Sequence, residues 1–141
     1  MANLSIDQGD RNSVVPHPSW VISALDQGPV MIFAHIEDCI SCALQAPICS
    51  EVNRSHEGDI TYFDLLGGRD DATLNDALNV YDPSGGSHLV PLVVVINLVR
   101  DSNGNKTIVW HSWEGIIGLS SLDSWINDAL AHYGSVYKGG I

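Results

Sequence analysis

The stretch VMIFAHIEDCISCALQAPIC, residues 30–49, decides the fold. Its opening residues, Val30–Ile36, form a short apolar run that predicts a buried β-strand. A helix is predicted from Cys39 to about Arg54, and Pro47 is expected to kink it because proline lacks an N–H group and clashes with the preceding turn. Three apolar residues recur at every fourth position of this helix: Leu44, Ile48 and Val52. A strand is therefore predicted to lead into a helix with two cysteines at its start.

The remaining sequence alternates between predicted helices and strands. Apolar periodicity and flanking turn residues predict helices at 18–27, 71–81 and 119–133, and strands at 59–66, 92–98 and 106–113. Because a helix connects the first two strands, they should be parallel, whereas the Asn-Gly turn within Ser102–Asn105 should pair the last two as a hairpin. The sequence thus predicts an α/β fold: a mixed central sheet of about four or five strands, flanked by helices on both faces.

The length of 141 residues suits one compact domain, and 45% apolar with only 16% charged residues predicts a packed core. We expect residues 17–134 to form this domain, with an N-terminal arm at 1–16 and a flexible tail at 135–141. The N-terminus shows no signal-peptide pattern, and the longest apolar run, Leu89–Val99, is too short for a membrane span. A cytoplasmic location is therefore expected.

The charge balance is strongly acidic. Six Lys and Arg residues stand against seventeen Asp and Glu residues, which gives a formal net charge of −11. Such a surface repels phosphate backbones and anionic lipid head groups. The composition therefore argues against nucleic acid and membrane surfaces as partners.

Two cysteines at the predicted start of the helix carry the chemistry. In Cys39-Ile40-Ser41-Cys42, the two intervening residues let one helical turn bring the sulfurs within disulfide range. The partial positive charge of a helix N-terminus favours a thiolate there. Cys39 should therefore be the exposed nucleophile, and Cys42 the less exposed thiol that resolves the mixed disulfide.

These residues, with three further landmarks in order, resemble the thioredoxin family. Pro47 follows Cys42 by five residues, as the helix-kinking proline of that family does. Val90-Pro91 precedes an apolar strand like the family's cis-proline, and Gly115 precedes a C-terminal helix. The resemblance covers roughly residues 18–133.

The resemblance implies a thioredoxin-like fold and a thiol–disulfide oxidoreductase that acts through Cys39 and Cys42 on protein or peptide disulfides or dithiols. An extended substrate would pair with the backbone of Val90 beside Pro91, and would also lie near Ile40 and Gly115. Electrons would come from a reductase or a small thiol, and no bound cofactor or metal is implied. The alternative is a non-enzymatic binding or assembly module with a structural or vestigial dithiol.

The sequence departs from the family at the site itself. Asp38 stands where an aromatic residue often precedes the first cysteine, and Phe33 stands where a buried acid often transfers protons. With Glu37, Asp38 should oppose ionisation of Cys39, against the helix dipole. Ser41 could donate a hydrogen bond to the thiolate. These departures motivate the non-enzymatic alternative.

Other candidate residues leave alternatives open. Cys39, Cys42, Cys49 and His56 together offer four zinc ligands, although thiols on one helix lack the usual separate knuckles. Cys49 is interpreted as a buried bystander, with a third redox thiol as the alternative. His35 could exchange a proton in place of the missing acid, with an ordinary strand-end histidine as the alternative.

Overall fold

The computed structural model describes residues 15–83 and 88–136. The elements follow in chain order as α1 (Ser19–Leu25), β1 (Val30–His35), α2 (Ile40–Ser55), β2 (Thr61–Leu66), α3 (Asp71–Tyr81), β3 (Leu92–Arg100), β4 (Lys106–Glu114) and α4 (Leu119–His132). The predicted order of helices and strands is confirmed. Within the described ranges, no helix has the length and apolar character that crossing a membrane requires.

The strands form one mixed sheet in the order β2-β1-β3-β4. β1 and β2 are parallel, as expected for two strands joined through a helix, whereas β1 pairs with β3 and β3 with β4 in antiparallel fashion. The predicted α/β class is therefore confirmed, with four strands. β1 and β3 lie at the centre, which explains why both are almost wholly apolar.

Helices cover both faces of the sheet, as predicted. Alternate residues of a strand point to opposite faces, so β1 divides its side chains between two cores. One core, against α1 and α3, contains Ile32 and Ala34, and the other, against α2 and α4, contains Met31 and Phe33. The strand that leads to the cysteines is therefore held from both sides.

The buried face of α2 includes only part of the apolar repeat of every fourth residue. Val52 is fully buried, whereas Leu44 is 57% exposed. The buried residues are Cys42, Gln45, Cys49 and Val52. Their spacing of three, four and three residues follows one face of a helix with 3.6 residues per turn, whereas a strict spacing of four drifts around it.

The sheet register gathers the candidate site at one edge. The last residue of β1, His35, is opposite Leu66, the last residue of the parallel strand β2. The first residue of β3, Leu92, is opposite Ala34 on one side and Glu114 on the other. The segments before Cys39, before Leu92 and after Glu114 therefore all leave the sheet at the same edge.

Most of the predicted arm, residues 1–14, and of the predicted tail, residues 137–141, lies outside the described residues. The chain after α4 returns to the sheet. The Gly134 N–H donates to the Leu98 carbonyl at 2.8 Å, and the Arg100 N–H donates to the Ser135 carbonyl at 2.8 Å. Hydrogen bonds thus join residues 134–136 to the end of β3.

His17 makes stability depend on pH. Its Nδ1 lies 2.7 Å from the hydroxyl of Tyr81, and burial lowers the pKa of His17 from 6.5 to about 4. Between these values the unfolded chain binds a proton that the folded chain does not, so acidification from pH 6.5 toward 4 favours unfolding. We expect urea midpoints to fall more steeply over this range for the natural protein than for His17→Gln. Equal slopes would contradict this assignment.

Candidate active site

The structure places the two predicted redox cysteines at the first turn of α2. Cys39 is the N-cap residue, and its Sγ accepts a hydrogen bond from the Cys42 N–H at 3.2 Å. The two sulfurs are joined as a disulfide, with the Cα atoms 5.2 Å apart. Cys39 is half-buried, whereas Cys42 is 2% exposed. This is the difference in access expected between an attacking and a resolving thiol.

Asp38 turns the chain from β1 into α2. Its φ of 57° lies in the left-handed region, which Asp adopts more readily than most residues with a side chain. The turn leaves the side chains of Glu37 and Asp38 exposed beside Cys39. Two carboxylates therefore border the dithiol, as the sequence indicated.

The predicted proline loop lies at the same edge of the sheet. The Val90–Pro91 peptide bond is cis, as the family resemblance implied. The Gly115 N–H donates to the Pro91 carbonyl at 3.0 Å, and Gly115 has a φ of 86° that favours glycine. The structure thus brings Val90, Pro91 and Gly115 together, while Pro47 lies on the exposed side of α2.

Exposed apolar side chains occur on all three segments at this edge. They are Ile36 before the cysteines, Ile40 between them, Leu89 before the proline and Ile116 after Gly115. Ile40 is the most exposed, at 83%. We call these four residues the apolar rim. Clustered exposed apolar residues are typical of interaction sites.

A groove of about 360 Å³ opens beside the disulfide. Its walls include both Cys39 and Cys42, the turn at Glu37 and Asp38, and the side chain of His35. Of the predicted site residues, His35, Asp38, Cys39 and Cys42 therefore meet in one concave surface, whereas Ile40, Ser41 and Pro47 do not line it. Ser41 is half-buried at the helix start, and its hydrogen bond to a Cys39 thiolate stays a prediction.

His35, which lines this groove, is held in place by two neighbours. Its ring stacks on Phe33 with the centroids 4.1 Å apart and the planes 5° apart. Its Nε2 lies 2.5 Å from Oδ1 of Asp64 on β2, and the imidazole side chain is 16% exposed. Phe33 itself is fully buried. The position that often carries an acid is therefore apolar, and a histidine–carboxylate pair lies next to it.

Cys49 and His56 do not join the dithiol. Cys49 is buried against the sheet, and burial raises its pKa to about 12. His56 follows the end of α2 and pairs with Asp123 at 2.7 Å. It lies sixteen residues after Ile40, and at the rise of an α-helix this places it about 24 Å from the start of α2. The zinc arrangement is therefore not formed. In residues 15–83 and 88–136, no three His, Cys, Asp or Glu side chains are grouped to hold a metal ion.

Sequence reasoning missed Gln45. This side chain is fully buried in α2, where its Oε1 accepts from the Ile117 N–H at 2.8 Å and its Nε2 donates to the Ile117 carbonyl at 3.1 Å. The amide thus ties the dithiol helix to the segment after Gly115. The sequence carries one signal for this residue. Gln45 lies three residues after Cys42 and four before Cys49, so it falls on the same inward-facing side of the helix as both cysteines.

Comparisons with known proteins agree with this architecture. No protein-family model matches the sequence, and no curated protein matches it. Among solved structures, chloroplastic thioredoxin z is similar with a TM-score of 0.52 and 12% identity, over 86% of this chain and 99% of that one. A thioredoxin from Aeropyrum pernix has a TM-score of 0.46 and 16% identity, over 86% of this chain and 90% of its own. Together with the cysteine pair at the start of α2, the first likeness shows that this chain has the thioredoxin fold.

Proposed function

We propose that this protein is a thiol–disulfide oxidoreductase that exchanges dithiol and disulfide with polypeptide substrates. The observation that carries the proposal is the half-buried Cys39 at the N-cap of α2, bonded to the buried Cys42 at the wall of a groove. A helix N-terminus stabilises the thiolate that must act as nucleophile and leaving group. Both positions and the difference in their exposure suit thiol–disulfide exchange.

Reduction of a substrate would take two exchanges. The Cys39 thiolate attacks one substrate sulfur, so that a Cys39–substrate bond forms, the substrate S–S bond breaks and one substrate thiolate leaves. Cys42, after losing its proton, attacks the Sγ of Cys39 and releases the second substrate thiolate. The substrate gains two electrons and the cysteine pair loses two. A reductase or a small thiol restores the dithiol, so the cycle requires no bound cofactor.

The surroundings of the pair favour a particular substrate chemistry. The apolar rim offers surface to an extended polypeptide, and the edge segment at Val90 offers backbone groups. The carboxylates of Glu37 and Asp38 repel acidic segments and attract basic ones. We therefore expect neutral or basic polypeptide disulfides to be preferred.

A binding or assembly module with a structural dithiol is the second candidate. The specific observation in its favour is the fully buried Phe33, which leaves no carboxyl beneath the cysteines at the position where the family often has one. In such a module the disulfide would stay closed under physiological reductants. The two candidates therefore differ in reduction potential.

A redox titration tests the proposal. The protein is equilibrated in glutathione or dithiothreitol buffers of graded potential, alkylated, and weighed by mass spectrometry. We expect one two-electron transition that adds two alkyl groups, with a midpoint between about −270 and −120 mV, the range of redox-active pairs. Cys49 serves as an internal control, because burial and a pKa of about 12 keep it unlabelled in both states. A midpoint below about −300 mV would favour the structural dithiol.

A further inference from the structure

His35 lines the groove beside the cysteines, and its imidazole is paired with the carboxylate of Asp64. We propose that His35 accepts the proton of the Cys42 thiol when the mixed disulfide is resolved, and that Asp64 positions the imidazole through its Nε2. This inference rests on the proposed function, because it names the base that the second exchange needs. Asp64 is a positioning residue, since it acts through His35.

The resolving step needs such a base. Cys42 is 2% exposed, and a buried thiol ionises less readily than an exposed one. Only the thiolate attacks a disulfide, so the proton must leave before or during the attack. Phe33 has no group that could accept it. The next position on the same face of β1, in the direction of the cysteines, is His35.

The placement of His35 suits proton transfer at Cys42. Met31 and Phe33 belong to the core that α2 covers, and the ring of His35 stacks on Phe33 on this same face. His35 lines the groove together with Cys39 and Cys42. With Nε2 engaged by Asp64, Nδ1 is the nitrogen that takes the proton, directly or through one water molecule.

An ion-pair chain holds Asp64, the partner of His35. Asp64 also pairs with Arg69 at 3.3 Å, and Arg69 is itself held by Asp70 at 2.6 Å. The charged groups near the imidazole are Glu37 and Asp38, which line the same groove, and Asp64, Arg69 and Asp70, which form the ion-pair chain. This chain fixes the carboxylate of Asp64, which in turn fixes the orientation of the imidazole.

The step balances without another reactant. The Cys42 S–H bond breaks and its proton passes to His35, while the Cys42 sulfur attacks Cys39. The Cys42–Cys39 bond forms, the Cys39–substrate bond breaks, and the departing substrate thiolate takes a proton from the imidazolium or from water. His35 returns to its neutral state, so the electron count is that of the exchange alone.

Stopped-flow reaction of the reduced protein with one equivalent of 5,5′-dithiobis(2-nitrobenzoate) separates the two exchanges. Attack by Cys39 releases the first coloured thiolate, and attack by Cys42 releases the second. For His35→Gln we expect the second phase to slow by about 100-fold at pH 7, a typical effect of losing a general base. The deficit should shrink toward pH 10, where hydroxide ionises Cys42 without help. The first phase should change less than about twofold.

A matched control exists within the chain. His56 pairs with Asp123 at 2.7 Å, and this pair resembles that of His35 and Asp64 in exposure, at 12% and 41% against 16% and 46%. His56→Gln removes a comparable pair far from the dithiol, and we expect both phases to match those of the natural protein. Asp64→Asn keeps the imidazole but removes the carboxylate that orients it, so its second phase should slow less than that of His35→Gln and retain a pH-dependent deficit.

The outcomes separate this inference from the function on which it rests. If the natural protein releases no second thiolate, the proposed function fails. If it shows both phases and the second phase of His35→Gln is unchanged, or slowed equally at all pH values, the role of His35 is wrong. If His35→Gln does not fold, Asp64→Asn provides the test. A second phase in Asp64→Asn with the same pH profile as that of the natural protein would overturn the role of the pair.

Discussion

Cys39→Ser is expected to reduce disulfide-exchange activity to the level of the buffer control. Cys39 is the more accessible sulfur of the pair and the one that caps α2, so the variant loses the only thiol placed to attack a substrate at the groove. The hydroxyl of serine neither ionises near neutral pH nor forms a bond equivalent to a disulfide. Insulin reduction in the presence of dithiothreitol, followed as turbidity, measures the loss.

Cys42→Ser should accumulate the mixed disulfide, the intermediate that Cys39→Ser cannot form. Cys39 can still attack, but the buried partner that would release the substrate is gone, so the mixed disulfide persists. We expect a covalent complex with a disulfide-bearing polypeptide that is stable on a non-reducing gel and disappears with dithiothreitol. The natural protein should show little of it.

Cys49→Ala provides the control for both variants. Cys49 is fully buried two turns further along α2 and does not line the groove, and burial raises the pKa of its thiol to about 12. Removing it should leave both insulin reduction and the absence of trapped complexes unchanged. Full insulin reduction by Cys39→Ser would refute the assigned nucleophile, and loss of activity in Cys49→Ala would give that residue a role the structure does not indicate.

The sequence predicts best the features that depend on local patterns. The bounds of α3, Asp71–Tyr81, agree with the prediction at both ends, because its apolar positions recur at helical spacing and polar turns flank it. Strand ends agree less well. β2 begins at Thr61 instead of Asp59 and β3 continues to Arg100 instead of Leu98, because pairing with a neighbouring strand, and not the local pattern, decides where a ladder ends.

The candidate site also contains features that local sequence patterns predict and features that they do not. The pair Cys39 and Cys42 and the loop at Pro91 were identified from short motifs whose order along the chain is itself informative. The partner of His35 was not, because Asp64 is 29 residues away and meets the imidazole only through the parallel pairing of β1 and β2. Residues that meet only through the tertiary structure have no characteristic spacing in the sequence.

The contact of Gln45 was likewise not predictable from sequence spacing. Its substitution is expected to cause the largest loss of stability. It lies 72 residues from Ile117, yet its amide donates to and accepts from the backbone of that residue in a fully buried setting. Because Ile117 is itself buried, Gln45→Leu would leave both an N–H and a carbonyl without a partner. Each unpaired buried group costs about 1–3 kcal/mol, so for these two groups we expect the free energy of unfolding to fall by about 2–6 kcal/mol.

Urea denaturation of Gln45→Leu beside Leu44→Ala measures this loss against a neighbour on the same helix. Leu44 is 57% exposed, so its truncation should change the free energy of unfolding by no more than about 0.5 kcal/mol. A loss in Gln45→Leu as small as that of Leu44→Ala would mean that the two hydrogen bonds to Ile117 contribute nothing net.

Gln45→Glu distinguishes hydrogen bonding from packing, because the new side chain has nearly the same shape. When ionised, its carboxylate still accepts from the Ile117 N–H but can no longer donate to the carbonyl, and it carries a buried charge. When protonated, it restores both bonds. Burial must raise the pKa of this carboxyl above its unfolded value, so the deficit should be largest at neutral pH and decrease on acidification through the folded pKa. A deficit that does not change with pH would assign the role of Gln45 to packing, and the link between α2 and the segment after Gly115 would then not depend on the amide.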